Sequence, residues 1–174
     1  LEKHLKLNLN DSEKNEFQNI LERHFNSLTL KQNILVLRDF HADNLIYLND
    51  RDGVHQLGLI DYQDALIGSS AYDFVSLIED VRHPIKDDLK NSLVETYSKL
   101  ISVDQNELER GISFYSIQRN LKIVGIFSRL KYRDDKNNYF PMIEVAMGFI
   151  KNHLKDNEYK DLNNWINNIM NNSL

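Results

Sequence analysis

Asp39 and Asn44 stand five residues apart in a polar island, Arg38-Asp39-Phe40-His41-Ala42-Asp43-Asn44, with an apolar run on either side, Ile34 to Leu37 and Leu45 to Leu48. An acid that accepts a hydroxyl proton and an amide oxygen that reaches a metal ion, both emerging from one short loop, suit phosphoryl transfer. The attacking oxygen and the metal must meet a single transferring group, so base and ligand need a common rigid frame. Asp61 ends a further apolar run, Leu57-Gly58-Leu59-Ile60, seventeen residues after Asn44 and across a turn, where a second, charged metal ligand belongs. Magnesium takes hard oxygen ligands and keeps several waters, so one carboxylate, one amide oxygen and nucleotide phosphates suffice.

The Asp-x4-Asn spacing is that of the catalytic loop of kinases, and Asp61 takes the place of the Asp that opens their metal loop, with Tyr62 and Gln63 in place of the Phe and Gly that follow it there. Each residue also has a plainer reading. Asp61 and Asp64 fit as caps of the turn and of the helix after it. Asp73 reads as a structural acid that bonds backbone amides of the catalytic loop. His41-x-Asp43 has no third ligand at useful spacing, so His41 reads as a loop-orienting hydrogen bonder rather than a metal ligand. Arg38 either neutralises the acid cluster or is a solvated flank. Arg129, Lys131 and Arg133 read as the charged end of a helix, with a role in holding substrate as the alternative.

These residues must be placed by the elements around them. Asp11-Ser12 offers an N-cap, and Phe17, Ile20, Leu21, Phe25 and Leu28 recur at helical spacing, which predicts an amphipathic helix over 12–27. Three short strands follow between 34 and 60, the last two a hairpin closed by Asn49-Asp50-Arg51-Asp52-Gly53. From about Asp73 the pattern is helical to the end: 71–82, then after Pro84 a segment over 86–101, then a proline-free stretch from Asp104 to about Arg133 that is apolar on more than one side. Pro141 sits where a first helical turn tolerates it, and Leu162, Trp165, Ile166, Ile169 and Met170 mark a last amphipathic helix. The sum is one mostly helical α+β domain over 1–174 whose chemistry lies in loops beside short strands.

Composition sets the outer bounds. The chain has 174 residues, a net charge of −5 and no cysteine, which excludes disulfides and thiolate metal sites and gives no electrostatic reason to approach nucleic acid. No apolar stretch reaches the roughly 20 residues of a membrane span, and Leu1 to Asn10 lacks the apolar core of a signal peptide, so a cytoplasmic protein is expected. A first residue of Leu rather than Met fits a fragment of a longer chain.

With Asp39, Asn44 and Asp61 read together, the chain resembles the aminoglycoside and choline phosphotransferase family, a protein-kinase-like fold, in its C-terminal lobe. The family string His-Gly-Asp-x-His-x-x-Asn is matched at Asp39, His41 and Asn44, while Leu37 and Arg38 depart from its His-Gly. The segments LVLRDFHADNLIYL, GLIDYQDALIGSSAYDFVSLIEDVR and QRNLKIVGIFSRLKYRD resemble a narrower branch, the bacterial anomeric kinases of N-acetylmuramate and N-acetylglucosamine that serve cell-wall recycling. The resemblance implies Asp39 as catalytic base, Asn44 and Asp61 as magnesium ligands, Asp73 as the structural acid, ATP and Mg2+ as cofactors, and a sugar or amino-sugar acceptor. It also implies an N-terminal lobe with a nucleotide-covering loop and a phosphate-binding lysine. Neither is visible in these 174 residues, so the lobe is expected in cis or in trans and the isolated chain is expected to have little or no kinase activity. An aminoglycoside- or choline-type kinase, a magnesium phosphohydrolase and a non-catalytic scaffold that kept the fold are the competing expectations.

Overall fold

The computed structural model describes residues 9–30 and 33–171. The charged N-terminal stretch, with the expectation drawn from it, lies mostly outside these residues. Among them are six α-helices and four three-residue strands: α1 Asp11–Asn26, β1 Ile34–Val36, β2 Leu45–Tyr47, β3 Leu57–Leu59, β4 Leu66–Gly68, α2 Ser70–Ile78, α3 Asp87–Ile101, α4 Gln105–Asp134, α5 Phe140–His153 and α6 Lys160–Asn171. This is the mostly helical α+β composition that the periodicities predict. The chain divides into two compact units, 29–115 and the combination of 1–28 with 116–174.

In the first unit, β2 and β3 form the expected antiparallel hairpin, with Leu45 opposite Leu59 and Tyr47 opposite Leu57. The reading of three strands is one short. Leu66–Gly68, in the stretch between Asp61 and the predicted helix to which no element was assigned, is a fourth strand that pairs antiparallel with β1, Ile34 opposite Gly68 and Val36 opposite Leu66. A three-residue run carries no readable alternation of its own, and its partner lies about thirty residues away, so pairing alone makes it a strand.

Ser69 caps α2, its hydroxyl accepting from the Ala71 N–H at 3.3 Å, and that helix buries Ala71, Phe74, Val75 and Ile78. It ends at Ile78, four residues before the predicted boundary. Beyond it Val81 is still buried but Glu79 leaves helical geometry, and the carboxylates of Glu79 and Asp80 are both buried. Phe74 stacks on Tyr97 of α3 with ring centroids 4.2 Å apart, and the Tyr97 hydroxyl donates to the Ser70 carbonyl at 2.7 Å, so α3 grips both turns of α2. Burial holds the Tyr97 phenol above its ordinary pKa, and the nearby Asp73 charge adds to the shift. At Gly111 in α4, a Cβ would lie 2.0 Å from Leu30 Cδ1 and 3.3 Å from Ala71 Cβ; only glycine admits this approach.

In the second unit, α1 starts one residue earlier than predicted. Asn10, not Asp11, is the N-cap, and it forms a capping box with Glu13: Glu13 N–H donates to Asn10 Oδ1 at 2.9 Å and Asn10 N–H to Glu13 Oε2 at 2.8 Å. Ile20 from the predicted stripe is buried, while Phe25 stays 43% exposed. Phe17 packs on Trp165 of α6 with centroids 4.8 Å apart, and His24 packs on Tyr159. Asp161 receives Arg23 Nη2 and His24 Nε2, each at 2.9 Å. Burial pushes the Asp161 carboxyl up, but those hydrogen bonds outweigh it and hold the group below the usual carboxylate range. Pro141 occupies the first turn of α5, as its fixed φ allows. Residues 116–120 of α4, in this unit, are buried nearly all round, in keeping with the absence of a single apolar stripe there.

Candidate active site

Two short antiparallel pairs position the polar island. β1 leads into it, β2 leaves it, and a 3-10 turn over Ala42–Asn44 joins the two. Asn44 Nδ2 donates to the Asp39 carbonyl at 2.8 Å, which closes the loop on itself and fixes the amide orientation. Asn44 Oδ1 is thereby the atom left to accept, and it has no hydrogen-bond partner among the described residues. His41 bonds the same amide only at the edge of hydrogen-bonding distance, Nε2 to Nδ2 at 3.5 Å.

Asp61 reaches the same end of the β2–β3 hairpin through backbone register. Leu45 pairs with Leu59, and one step further the Ile60 N–H donates to the Asn44 carbonyl at 3.2 Å, so Asp61 follows directly on Asn44's partner. Its backbone is left-handed, φ 61°, and its exposed carboxylate accepts from Gln63 Nε2 at 2.6 Å. The Asp39 carboxylate, half-buried, makes no hydrogen bond or ion pair with any described residue. An acid, an amide oxygen and a second acid are thus carried by one loop and one hairpin.

Asp73, in the first turn of α2, accepts the Leu37 N–H at 2.7 Å on Oδ2 and the Arg38 N–H at 3.0 Å on Oδ1. Those are the two amides immediately before Asp39. Arg38 has φ 73°, in the left-handed region that glycine prefers and that costs an L-residue about 1–2 kcal/mol. This gives a physical content to the departure noted in the sequence: where the resembling family has glycine, this chain holds an arginine in a glycine-like conformation, tied down by Asp73 and by Nη1 donating to the Asp64 carbonyl at 3.4 Å. Asp64 contributes its backbone to that bond, and the helix that follows is capped by Ser69, not by Asp61 or Asp64.

Asp43, absent from the predicted site, is bonded by two side chains from the α2–α3 connection, His83 Nε2 at 2.8 Å and Arg82 Nε at 3.4 Å. Its carboxyl is held below the usual range, first by the His83 hydrogen bond. No local spacing signals this contact, since forty residues separate the partners.

A divalent cation would meet hard oxygens here. Asn44 Oδ1 is oriented and open, and Asp61 adds one carboxylate, a donor set that suits magnesium. Among the described residues no three His, Asp or Glu side chains cluster to hold a metal by themselves, so phosphate oxygens and water would have to complete the shell. No helix among them is long and apolar enough to cross a membrane.

A fold of short strands and helices that carries an Asp-x4-Asn loop at one end of a hairpin, with an Asp just past its second strand, agrees with the comparison to known families: residues 2–110 match the phosphotransferase enzyme family, and the chain belongs to it. Two curated relatives are both N-acetylmuramate/N-acetylglucosamine kinases. That of Caulobacter vibrioides is 30% identical over 129 residues, 74% of this chain and 36% of the relative. That of Neisseria meningitidis serogroup B is 34% identical over 131 residues, 71% of this chain and 38% of the relative. The counterpart in Pseudomonas putida is 28% identical and covered over 44% of its length. The matched stretches therefore cover less than half of each of these relatives.

Proposed function

We propose that this chain is the catalytic part of an ATP-dependent small-molecule phosphotransferase, a C-terminal lobe of the kinase-like fold, acting on the anomeric hydroxyl of N-acetylmuramate or N-acetylglucosamine. The observation that carries this reading is the Ile60 N–H to Asn44 C=O bond, which brings Asn44 and Asp61 to one hairpin end while Asn44 holds the loop of Asp39. In this reading Asp39 accepts the hydrogen bond of the acceptor hydroxyl, orients its oxygen and takes the proton as that oxygen bonds to the γ-phosphorus of ATP and the bond from phosphorus to the bridging oxygen breaks, releasing ADP. Its carboxylate is uncommitted within the described residues, as a base requires. Asn44 Oδ1 and Asp61 would hold Mg2+, which when bound neutralises charge on the nucleotide phosphates. Asp73 keeps the two amides before Asp39 in place, so the base does not drift.

The unit 29–115 exposes large apolar side chains on both strand pairs, among them Leu35, Tyr47, Leu57 and Ile67, each more than half exposed. Such a surface supports a covering partner, and a nucleotide-binding lobe supplied in cis or in trans is the occupant this reading requires. A role in cytoplasmic cell-wall recycling would follow from the same acceptors.

The test is product analysis. The 174-residue chain alone, given ATP, Mg2+ and N-acetylmuramate, is expected to form no sugar phosphate. Joined to the nucleotide-binding part of the Caulobacter relative, it is expected to form the 1-phosphate and to lose that activity on Asp39→Asn. Release of inorganic phosphate without sugar phosphate, or full activity in Asp39→Asn, would overturn the reading.

A further inference from the structure

The Asp73 carboxylate grips the loop before Asp39, but nothing in that contact restrains the far side, where Asn44 presents its amide. The turn Ala42–Asn44 starts at His41 without a side-chain cap bond, and within the loop it is closed by the Asn44 N–H to the His41 carbonyl at 2.9 Å and by Asn44 Nδ2 to the Asp39 carbonyl. On that side lies Asp43, and its carboxylate is taken by His83 Nε2 at 2.8 Å on one oxygen and by Arg82 Nε at 3.4 Å on the other. The turn that carries these two side chains is itself placed. Arg82 N–H donates to Oδ1 of buried Asp80 at 2.9 Å, which folds the turn after α2, and fully buried Glu79 is ion-paired with Lys90 of α3. One rigid helix thus reaches the loop twice, from its first turn through Asp73 and from just past its end through Arg82 and His83.

We propose that Arg82 and His83 are positioning residues for phosphoryl transfer, pinning through Asp43 the turn that carries Asn44; the catalytic consequence rests on the function proposed above. A site of this kind tolerates only about 0.5 Å of drift in its ligands, and an oriented amide on an uncapped turn needs a tether of its own. Asp43 and His83 are each about half exposed, so their removal leaves the core intact.

Hydrogen exchange of the amides over 39–47 in the 174-residue chain tests the tether without any turnover. Asp43→Asn, and Arg82→Gln with His83→Gln, should each speed exchange about tenfold, and the triple variant should be no faster than either, since all three act on one link. Asp43→Glu should recover most of the protection. Asp39→Asn, the test of the base, should leave exchange unchanged, which separates failure of the tether from failure of the catalytic reading. In the joined protein the tether variants should lower kcat about tenfold and leave the acceptor KM within twofold. Unchanged exchange in Asp43→Asn, additive effects in the triple variant, or a raised KM with kcat intact would each overturn the proposal.

Discussion

Replacing Asp73 tests how the loop is held. Its two oxygens receive the Leu37 and Arg38 amides at 2.7 and 3.0 Å in a half-buried setting. A hydrogen bond to a charged group contributes about 1.5–3 kcal/mol, and a buried donor left unpaired costs a comparable amount. In Asp73→Asn one oxygen remains and the new NH2 faces one of the two donors, so one bond is lost; partial exposure lets water recover some of it, which places the loss at about 2 kcal/mol. Asp73→Ala loses both bonds but admits water, and about 3 kcal/mol is expected. With a urea slope of about 2 kcal/mol per molar, the Asn variant should unfold about 1 M earlier. A second readout is independent of stability. The Asp73 charge helps raise the Tyr97 phenol, so its neutral replacement should move the phenolate absorbance titration of that residue toward lower pH. A midpoint shift equivalent to less than about 0.5 kcal/mol, together with an unmoved Tyr97 titration, would refute the account of Asp73 as the clamp of residues 37 and 38.

Four further outcomes follow from the same structure. Asp39→Asn should leave the urea midpoint unchanged, because its carboxylate bonds no described residue, yet lower sugar phosphorylation in the joined protein by about 10²–10⁴-fold. Gly111→Ala should destabilise by about 1–2 kcal/mol in thermal or urea melts, since a Cβ placed 2.0 Å from a Leu30 side chain that is itself buried outweighs the helix-propensity gain of about 1 kcal/mol. Leu162→Ala, at a position with no exposure, should cost about 2–5 kcal/mol by the same measurement. Asp161 has a folded-state pKa below its ordinary 3.8, so its contribution is fully present above that value and is lost as pH falls through the depressed one; Asp161→Asn should lower stability at neutral pH and flatten the loss between about pH 4 and the acid limb.

How much of this was legible beforehand depended on the range of the interaction. The periodicity of Phe17 and Ile20 predicted α1, and the turn residues at 49–53 predicted the β2–β3 hairpin, because both elements are set by contacts between residues close along the chain. The spacing of Asp39 and Asn44 was equally readable, and so was an acid at 61 just past the apolar run that closes the hairpin. The departure at Arg38 was visible as a letter, but not that it takes φ 73°.

The rest belongs to tertiary structure. Leu66–Gly68 is a strand only because β1 lies beside it, and α2 stops at Ile78 where two carboxylates turn inward. The bonds from Asp73 to 37 and 38 and from Asp43 to 82 and 83 join residues about forty apart, and no local rule pairs them among the chain's many charges. Residue types and short-range spacing therefore determined which chemistry the loop is able to do. Chain closure over long separations decided which side chains hold it still, because a carboxylate selects its partner by packed distance and not by position in the sequence.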